Sequence, residues 1–261
     1  MSVSVPPINP ESETAALEAL AGWLAGARRA VFLTGPELTA EAGIPDAGAL
    51  SFNPDINEFK EDEQAREAYW EKLAAVYPKI AAAAPAAAHK AIYGISLVCG
   101  VDCVITQAVD GLHTKAGSPA VLEIYASVHW AQCLGCGKDF RMMDILTGMA
   151  AGGVKIPSCA VCRAGVLKPP LSFPGQPLPH WEIREGWIKV GGCDLLVCAG
   201  ASLENEPVRS FPMQAKQRGA RVAMISAHES EADTVADAVL QGSPSVILDA
   251  LLAEIKKSKI V

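Results

Sequence analysis

Ala30-Val31-Phe32-Leu33-Thr34-Gly35-Pro36-Glu37-Leu38-Thr39-Ala40-Glu41-Ala42-Gly43-Ile44-Pro45-Asp46 is the stretch from which the fold can be read. Its opening residues form an unbroken apolar and β-branched run of strand length that stops at a glycine, the pattern of a strand buried on both faces. Just upstream, Leu17, Leu20, Ala21 and Leu24 recur at helical spacing within residues 14–27. Similar short apolar runs occupy residues 103–106, 195–200 and 222–226, with helical stretches between them. Strands alternating with helices predict an α/β domain: a mainly parallel, Rossmann-like sheet covered on both faces, any ligand gathering at the carboxyl ends of its strands. Two of these strands end in glycine with a hydroxyl residue nearby, Gly35 with Thr39 and Gly200 with Ser202. Such turns present backbone N–H groups to phosphate, and they also serve as ordinary turns; both readings stand at this point.

The 261 residues suit one main core with a satellite module. Half are hydrophobic and a fifth charged, which predicts a globular chain rather than a disordered one. A formal charge of -7 argues against bulk attraction to nucleic acid or to an anionic membrane. Residues 1–14 are polar and proline-rich, and no segment stays apolar for the ~20 residues that span a bilayer, so a cytoplasmic protein is expected. The alanine-rich residues 81–88, interrupted by Pro85, read as helical packing with a kink, and residues 251–257 as part of a closing amphipathic helix.

Cys133-Leu134-Gly135-Cys136 and Cys159-Ala160-Val161-Cys162 form two pairs with a two-residue spacer. Each pair sits on a tight turn that aims two thiolates at one point, and two such pairs complete the tetrahedral four-sulfur shell zinc prefers. Four sulfurs leave no position open for water, so one structural zinc per chain is predicted, held by Cys133, Cys136, Cys159 and Cys162, with iron or an empty reduced site as the alternatives. Cys99, Cys103, Cys193 and Cys198 lie in or beside apolar runs and read as core thiols.

Taken together, several motifs resemble those of the sirtuin family. Residues 34–46 are similar to its phosphate loop, with Gly43-Ile44-Pro45-Asp46 matching the loop's end. Thr106-Gln107-Ala108-Val109-Asp110-Gly111-Leu112-His113 is similar to its second signature. The segment Glu123-Ile124-Tyr125-Ala126, the cysteine pairs, residues 168–179 and Gly200-Ala201-Ser202 follow in the family's order. The resemblance implies a Rossmann-like NAD-binding domain over residues 16–124 and 170–261, after a tail at 1–15. It implies a zinc-ribbon module at 125–169, with a second helical part of the small domain near 47–90, and acyl-lysine entering the cleft between the two. It places Gly35, Thr39, Asp46, Gln107, Asp110, Gly200 and Ser202 at cofactor-binding positions. NAD or ADP-ribose is the implied nucleotide, and an acyl-lysine peptide or another protein the implied partner.

Departures from the family pattern cluster at the same site. Tyr125 stands where the family has its general-base histidine, and an ordinary tyrosine is protonated at neutral pH. Ala108 replaces an asparagine and offers no donor or acceptor. The family's Gly-Ala-Gly is Gly35-Pro36-Glu37, which removes an N–H and adds a carboxylate. Ala47-Gly48 replaces Phe-Arg, and Ser226 an asparagine. The expected function is therefore a nucleotide-binding or regulatory protein degenerate for NAD-dependent lysine deacylation. The alternative is an NAD-consuming enzyme (deacylase, ADP-ribosyltransferase or NAD hydrolase) of altered chemistry. The alternative gains if Glu37 and Tyr125 face one cavity; a purely structural subunit with a closed pocket is the third reading.

Overall fold

The computed structural model describes residues 10–44 and 53–259. Asp46, with Pro45, Ala47 and Gly48, lies outside the described residues. In chain order, helix α1 (Pro10–Gly26) leads to strand β1 (Ala30–Thr34) and the short helix α2 (Pro36–Glu41). Three helices follow, α3 (Ile56–Glu61), α4 (Glu63–Ala82) and α5 (Ala87–Ser96), then β2 (Val101–Thr106), α6 (Leu112–Ala116) and β3 (Val121–Glu123). A separate set comprises β4 (Trp130–Cys133), β5 (Asp139–Arg141), α7 (Met142–Gly152) and β6 (Leu167–Lys168). The chain then returns through α8 (His180–Gly192), β7 (Leu195–Ala199), α9 (Phe211–Gln217), β8 (Arg221–Ser226), β9 (Ala238–Gln241) and α10 (Pro244–Lys259).

The large sheet has strand order β3-β2-β1-β7-β8-β9 and is parallel throughout. Alternation along each strand divides its side chains between two cores. Ala30, Phe32, Val197 and Ile225 face α1, α5 and α10, packing with Leu24, Ile92 and Leu251. Val31, Leu33, Leu196 and Met224 face α8 and α9, packing with Val190 and Phe211. Both faces being covered explains why the strands read as continuous apolar runs. Cys103, Cys193 and Cys198 are buried and Cys99 is partly so, consistent with core thiols.

Strand order reverses between β1 and β7, where the chain goes one way to β2 and β3 and the other way to β8 and β9. Register brings Thr34 level with Thr106 on one side and Ala199 on the other, so the loops opening at Gly35, Gln107 and Gly200 emerge side by side. A crevice at such a switch point is where open α/β sheets hold ligands.

A third core joins the helices after α2 to the cysteine-bearing module. Asp55 and Asp62 cap α3 and α4 by accepting the Asn57 and Gln64 amides at 2.8 Å each. Tyr69, Trp70, Leu73, Tyr77 and Ile80 then form one helical face. That face packs with Phe59, Val128, Met142, Leu171 and Phe173. The small sheet, order β5-β4-β6, is antiparallel. The alanine-rich stretch differs from the kinked packing expected of it: α4 stops at Ala82 and α5 starts at Ala87, with Pro85 in the gap. Proline lacks an N–H and disfavours helical backbone in the residue before it, so the chain breaks here instead of bending.

Candidate functional site

The four cysteines come together. Their sulfurs all lie within 4.8 Å of one another, with Cys133–Cys162 and Cys136–Cys159 each at 3.6 Å. A tetrahedron of ~2.3 Å zinc–sulfur bonds has edges of about 3.8 Å, so the set fits a structural zinc. The two turns are built alike. Amides of Gly135 and Cys136 point at the Cys133 sulfur, and the Cys162 amide at the Cys159 sulfur, all at 3.4 Å. Such N–H···S contacts orient thiolates and delocalise their charge. Gly165 completes the cradle: a Cβ there would stand 2.1 Å from the Cys133 sulfur. Its part is not evident in the cysteine spacing, although a glycine three residues beyond the second pair is the available signal.

At the switch point, Gly35 is packed between neighbouring backbones. A Cβ on it would meet the Ala201 Cα at 2.6 Å and the Gly200 oxygen at 2.7 Å. Gly200, at φ +57, is pressed against Glu37 and Leu38 in the same way. Gln107 donates to the Ser202 carbonyl at 2.7 Å and accepts from the Ser202 amide at 2.9 Å, so its side-chain amide pairs with that loop. The first turn of α2 presents no free amide: Pro36 has none, Glu37 N–H donates to the Gly200 carbonyl at 3.3 Å, and Leu38 N–H to the Gly35 carbonyl at 3.2 Å. The Glu37 side chain crosses to β8, accepting from the Ser226 hydroxyl at 2.6 Å and the Ala227 amide at 3.0 Å.

The crevice holds two cavities. The larger, about 580 Å³, is lined by Glu37, Gly200 and Ser202 and by the charged or titratable Glu204, Arg209, His228, Glu229 and Glu231. Its one arginine pairs with Glu231 at 3.1 Å, leaving a lining of net negative charge. The smaller, about 220 Å³, is bounded by Thr39, Gln107, Ala108, Asp110 and Tyr125, with Ile44, Ile80, Val109, Leu171 and Leu178 supplying apolar walls. Among the described residues, Pro36 alone lines both. Glu37 and Tyr125 therefore line different cavities.

Around the smaller cavity most polar groups are matched to one another, the exception being the buried Asn53 Oδ1 on its lining, which has no hydrogen-bond partner. Asp110 accepts from the Thr39 hydroxyl at 2.8 Å and from the Leu112 amide at 2.9 Å, bracing the two loops. His129 donates through Nε2 to the Asp110 carbonyl at 2.7 Å, which leaves Nδ1 to accept from the Tyr77 hydroxyl at 3.1 Å. Burial pushes the Tyr125 phenol above the usual tyrosine value, and a hydrogen bond with Gln107 opposes only part of that rise. His113 bonds to Thr34 at 2.8 Å beneath the strand ends and packs against His89, the ring centroids 4.6 Å apart and the planes tilted by 53°. Burial, with the charge of His89, lowers its pKa to about 3, so it stays neutral. Glu123, two residues before Tyr125, is raised to about 7 by burial and by the Asp110 charge; nothing in the local sequence pattern signals this.

Comparison with known proteins places this geometry. The Sir2 family model matches residues 40–207. The NAD-dependent protein deacetylase 1 of Bradyrhizobium diazoefficiens is 32% identical over 233 residues, covering 86% of this chain and 91% of that protein. A Sir2 homologue solved as its NAD complex superposes with a TM-score of 0.79 at 27% identity, over 92% of this chain and 94% of that one. A Sir2 protein solved with a myristoylated histone peptide gives 0.76 at 28% identity, over 95% and 99%. The switch-point sheet, the four-cysteine module and these matches along most of the sequence have one common explanation: the chain belongs to the sirtuin (Sir2) family.

Proposed function

We propose that this sirtuin works as a nucleotide-binding or regulatory protein in which NAD-dependent lysine deacylation is weak or absent. The observation that carries this reading is Tyr125, which stands where the sequence resemblance puts the general base, lines the smaller cavity and has its phenol pushed upward by burial. A histidine accepts a proton at neutral pH, whereas a tyrosine so placed holds its own. Among the described lining residues the only other ionisable side chain is Asp110, which is engaged with Thr39 and Leu112. Ala108 adds no polar atom to hold a ribose or a water beside it.

The larger cavity is the seat for a nucleotide, with NAD or ADP-ribose as the first ligands to try, since relatives carry NAD-dependent names and a neighbouring structure holds NAD. The apolar walls of the smaller cavity suit the acyl chain of a modified lysine, the class of ligand bound by one of the structural neighbours. The competing reading, an NAD-consuming enzyme in which Glu37, Tyr125 or another group does the chemistry, would gain from Glu37 and Tyr125 facing one cavity, and they line different ones that adjoin at Pro36.

The test is calorimetric titration of the zinc-loaded protein with NAD and with ADP-ribose, followed by an assay for released nicotinamide with an acetyl-lysine peptide present. Binding without nicotinamide release is the expected result. Sustained release would overturn the reading in favour of an active enzyme.

A further inference from the structure

Glu37 carries more than a lost glycine. Its carboxylate accepts two hydrogen bonds, from the Ser226 hydroxyl at the end of β8 and from the Ala227 backbone amide just beyond it. Ser226 in turn accepts the His228 amide at 3.0 Å, so three consecutive positions, from the last residue of β8 into the loop beyond it, are organised around this contact. Hydroxyl and amide donors at strand ends are the groups with which open α/β sheets hold anionic ligands. Here a side chain from the loop after β1 already holds them, 189 residues away in sequence. The contact is tied in place from behind, because Glu37 N–H donates to the Gly200 carbonyl, and a Cβ at position 200 would stand 2.7 Å from the Glu37 Cβ.

We propose that Glu37 is a built-in stopper of the phosphate seat in the nucleotide crevice: its carboxylate takes the place of a ligand's anionic group between the ends of β1, β7 and β8, so that a nucleotide binds through its nucleoside part and gains nothing from its phosphates. This rests on the reading of the larger cavity as a nucleotide site. A diphosphate entering the cavity meets the Glu37 charge directly, meets Glu204 and Glu229 on the lining, and finds the Ser226 and Ala227 donors already taken. A neutral nucleoside meets none of the charge penalty. Glu37 and Ser226, each a departure from the family pattern when considered alone, are therefore one hydrogen-bonded unit.

The experiment compares adenosine and ADP-ribose by calorimetry on zinc-loaded wild type, Glu37→Gln and Glu37→Ala, with circular dichroism and zinc content confirming the fold of each. In the wild type, ADP-ribose is expected to bind no tighter than adenosine. In Glu37→Ala, ADP-ribose should gain at least tenfold with adenosine little changed, and Glu37→Gln, which keeps the shape and loses the charge, should fall between. Tenfold tighter binding of ADP-ribose than adenosine to the wild type would overturn the proposal without any variant being needed. Unchanged ADP-ribose affinity in the variants would overturn it too, as would binding to none of the three proteins. Weaker binding in Glu37→Gln would make the carboxylate a ligand for ribose hydroxyls and reject the stopper. Failure of the underlying functional reading shows elsewhere, as nicotinamide release by the wild type.

Discussion

The cysteine module and the switch-point crevice both draw polar atoms from distant parts of the sequence to one place, and they end in opposite states. In the module, four sulfurs converge within 4.8 Å, and backbone amides orient two of them without neutralising them. Four thiolates at such spacing repel one another unless a cation lies between them. In the crevice most of the convergent groups satisfy one another, Glu37 with Ser226 and Ala227, Gln107 with the Ser202 backbone, Thr39 with Asp110, and Asn53 Oδ1 alone among the described buried lining atoms is left without a partner. Convergence of polar residues is thus not by itself the mark of a ligand. The distinguishing question is whether the cluster is complete without one.

The largest effects should come from the cluster that is incomplete. Cys133→Ser is expected to release the zinc and to cost on the order of 5 kcal/mol or more in the module. The two cores flanking the large sheet contain none of the four ligands, so far-ultraviolet dichroism should still report that sheet. One tightly held zinc per chain in this variant would break the ligand assignment. Gly165→Ala, which puts a methyl group 2.1 Å from the Cys133 sulfur, should weaken zinc retention against a chromogenic chelator. In the crevice, Gly35→Ala sets a Cβ against backbone at Ala201 and Gly200, where no side chain can turn aside. A loss of roughly 2–4 kcal/mol is expected by denaturant melt, with zinc content unchanged. Loss of zinc from Gly35→Ala would mean that the two regions are not energetically separate.

How much of this was legible in the sequence follows the same division. The strand at Ala30–Thr34 and the paired cysteines are local signals, and the second pair needs only the first to complete a shell. The resemblance in residues 34–46 and 106–113 located the crevice as well. What it left open was the direction of each side chain. Whether Glu37 faces a ligand or turns to β8 depends on the order in which strands 30–34, 195–199 and 221–226 lie side by side, and no stretch of sequence states that order. His129 was likewise a lone histidine until the fold brought it against the Asp110 carbonyl and Tyr77. The break at Pro85 escapes the sequence for a different reason. A local proline signal does not say whether a helix bends or stops, and the cores on its two sides decide that.

A smaller effect separates the crevice from the module by pH. Glu123 is raised from 4.5 to about 7, first by burial and then by the Asp110 charge, with bonds from the Gly111 amide and Ser127 opposing. A carboxyl raised in the folded state contributes stability below the unfolded value, and that contribution is lost as pH climbs through about 7. The cost at pH 8 is about 2 kcal/mol once partial exposure is allowed for. Glu123→Gln should therefore melt higher than wild type at pH 8 and nearly level with it at pH 4. His113 acts on the other side: lowered from 6.5 to about 3 by burial and the His89 charge, it withdraws stability as pH falls from 6.5 toward 3. An acid limb that persists undiminished in His113→Gln would assign it to other groups.

The smallest expected effect is on chemistry, and it bears most directly on the comparison. If the crevice is complete in itself, returning one residue should not reopen it. Tyr125→His puts an imidazole on the smaller cavity, yet Ala108 still offers nothing to order a ribose or a water there, and Glu37 still holds Ser226 and Ala227 in the larger one. Nicotinamide release from NAD with an acetyl-lysine peptide is expected to stay at the wild-type level in the single variant. A measurable rise is expected only when Tyr125→His is combined with Ala108→Asn and Glu37→Ala, because base, ribose contact and anion seat are separate requirements of one reaction. Robust turnover from Tyr125→His alone would show that the inward-turned hydrogen bonds yield to NAD, and the crevice would then belong with the cysteine module as a site awaiting its ligand.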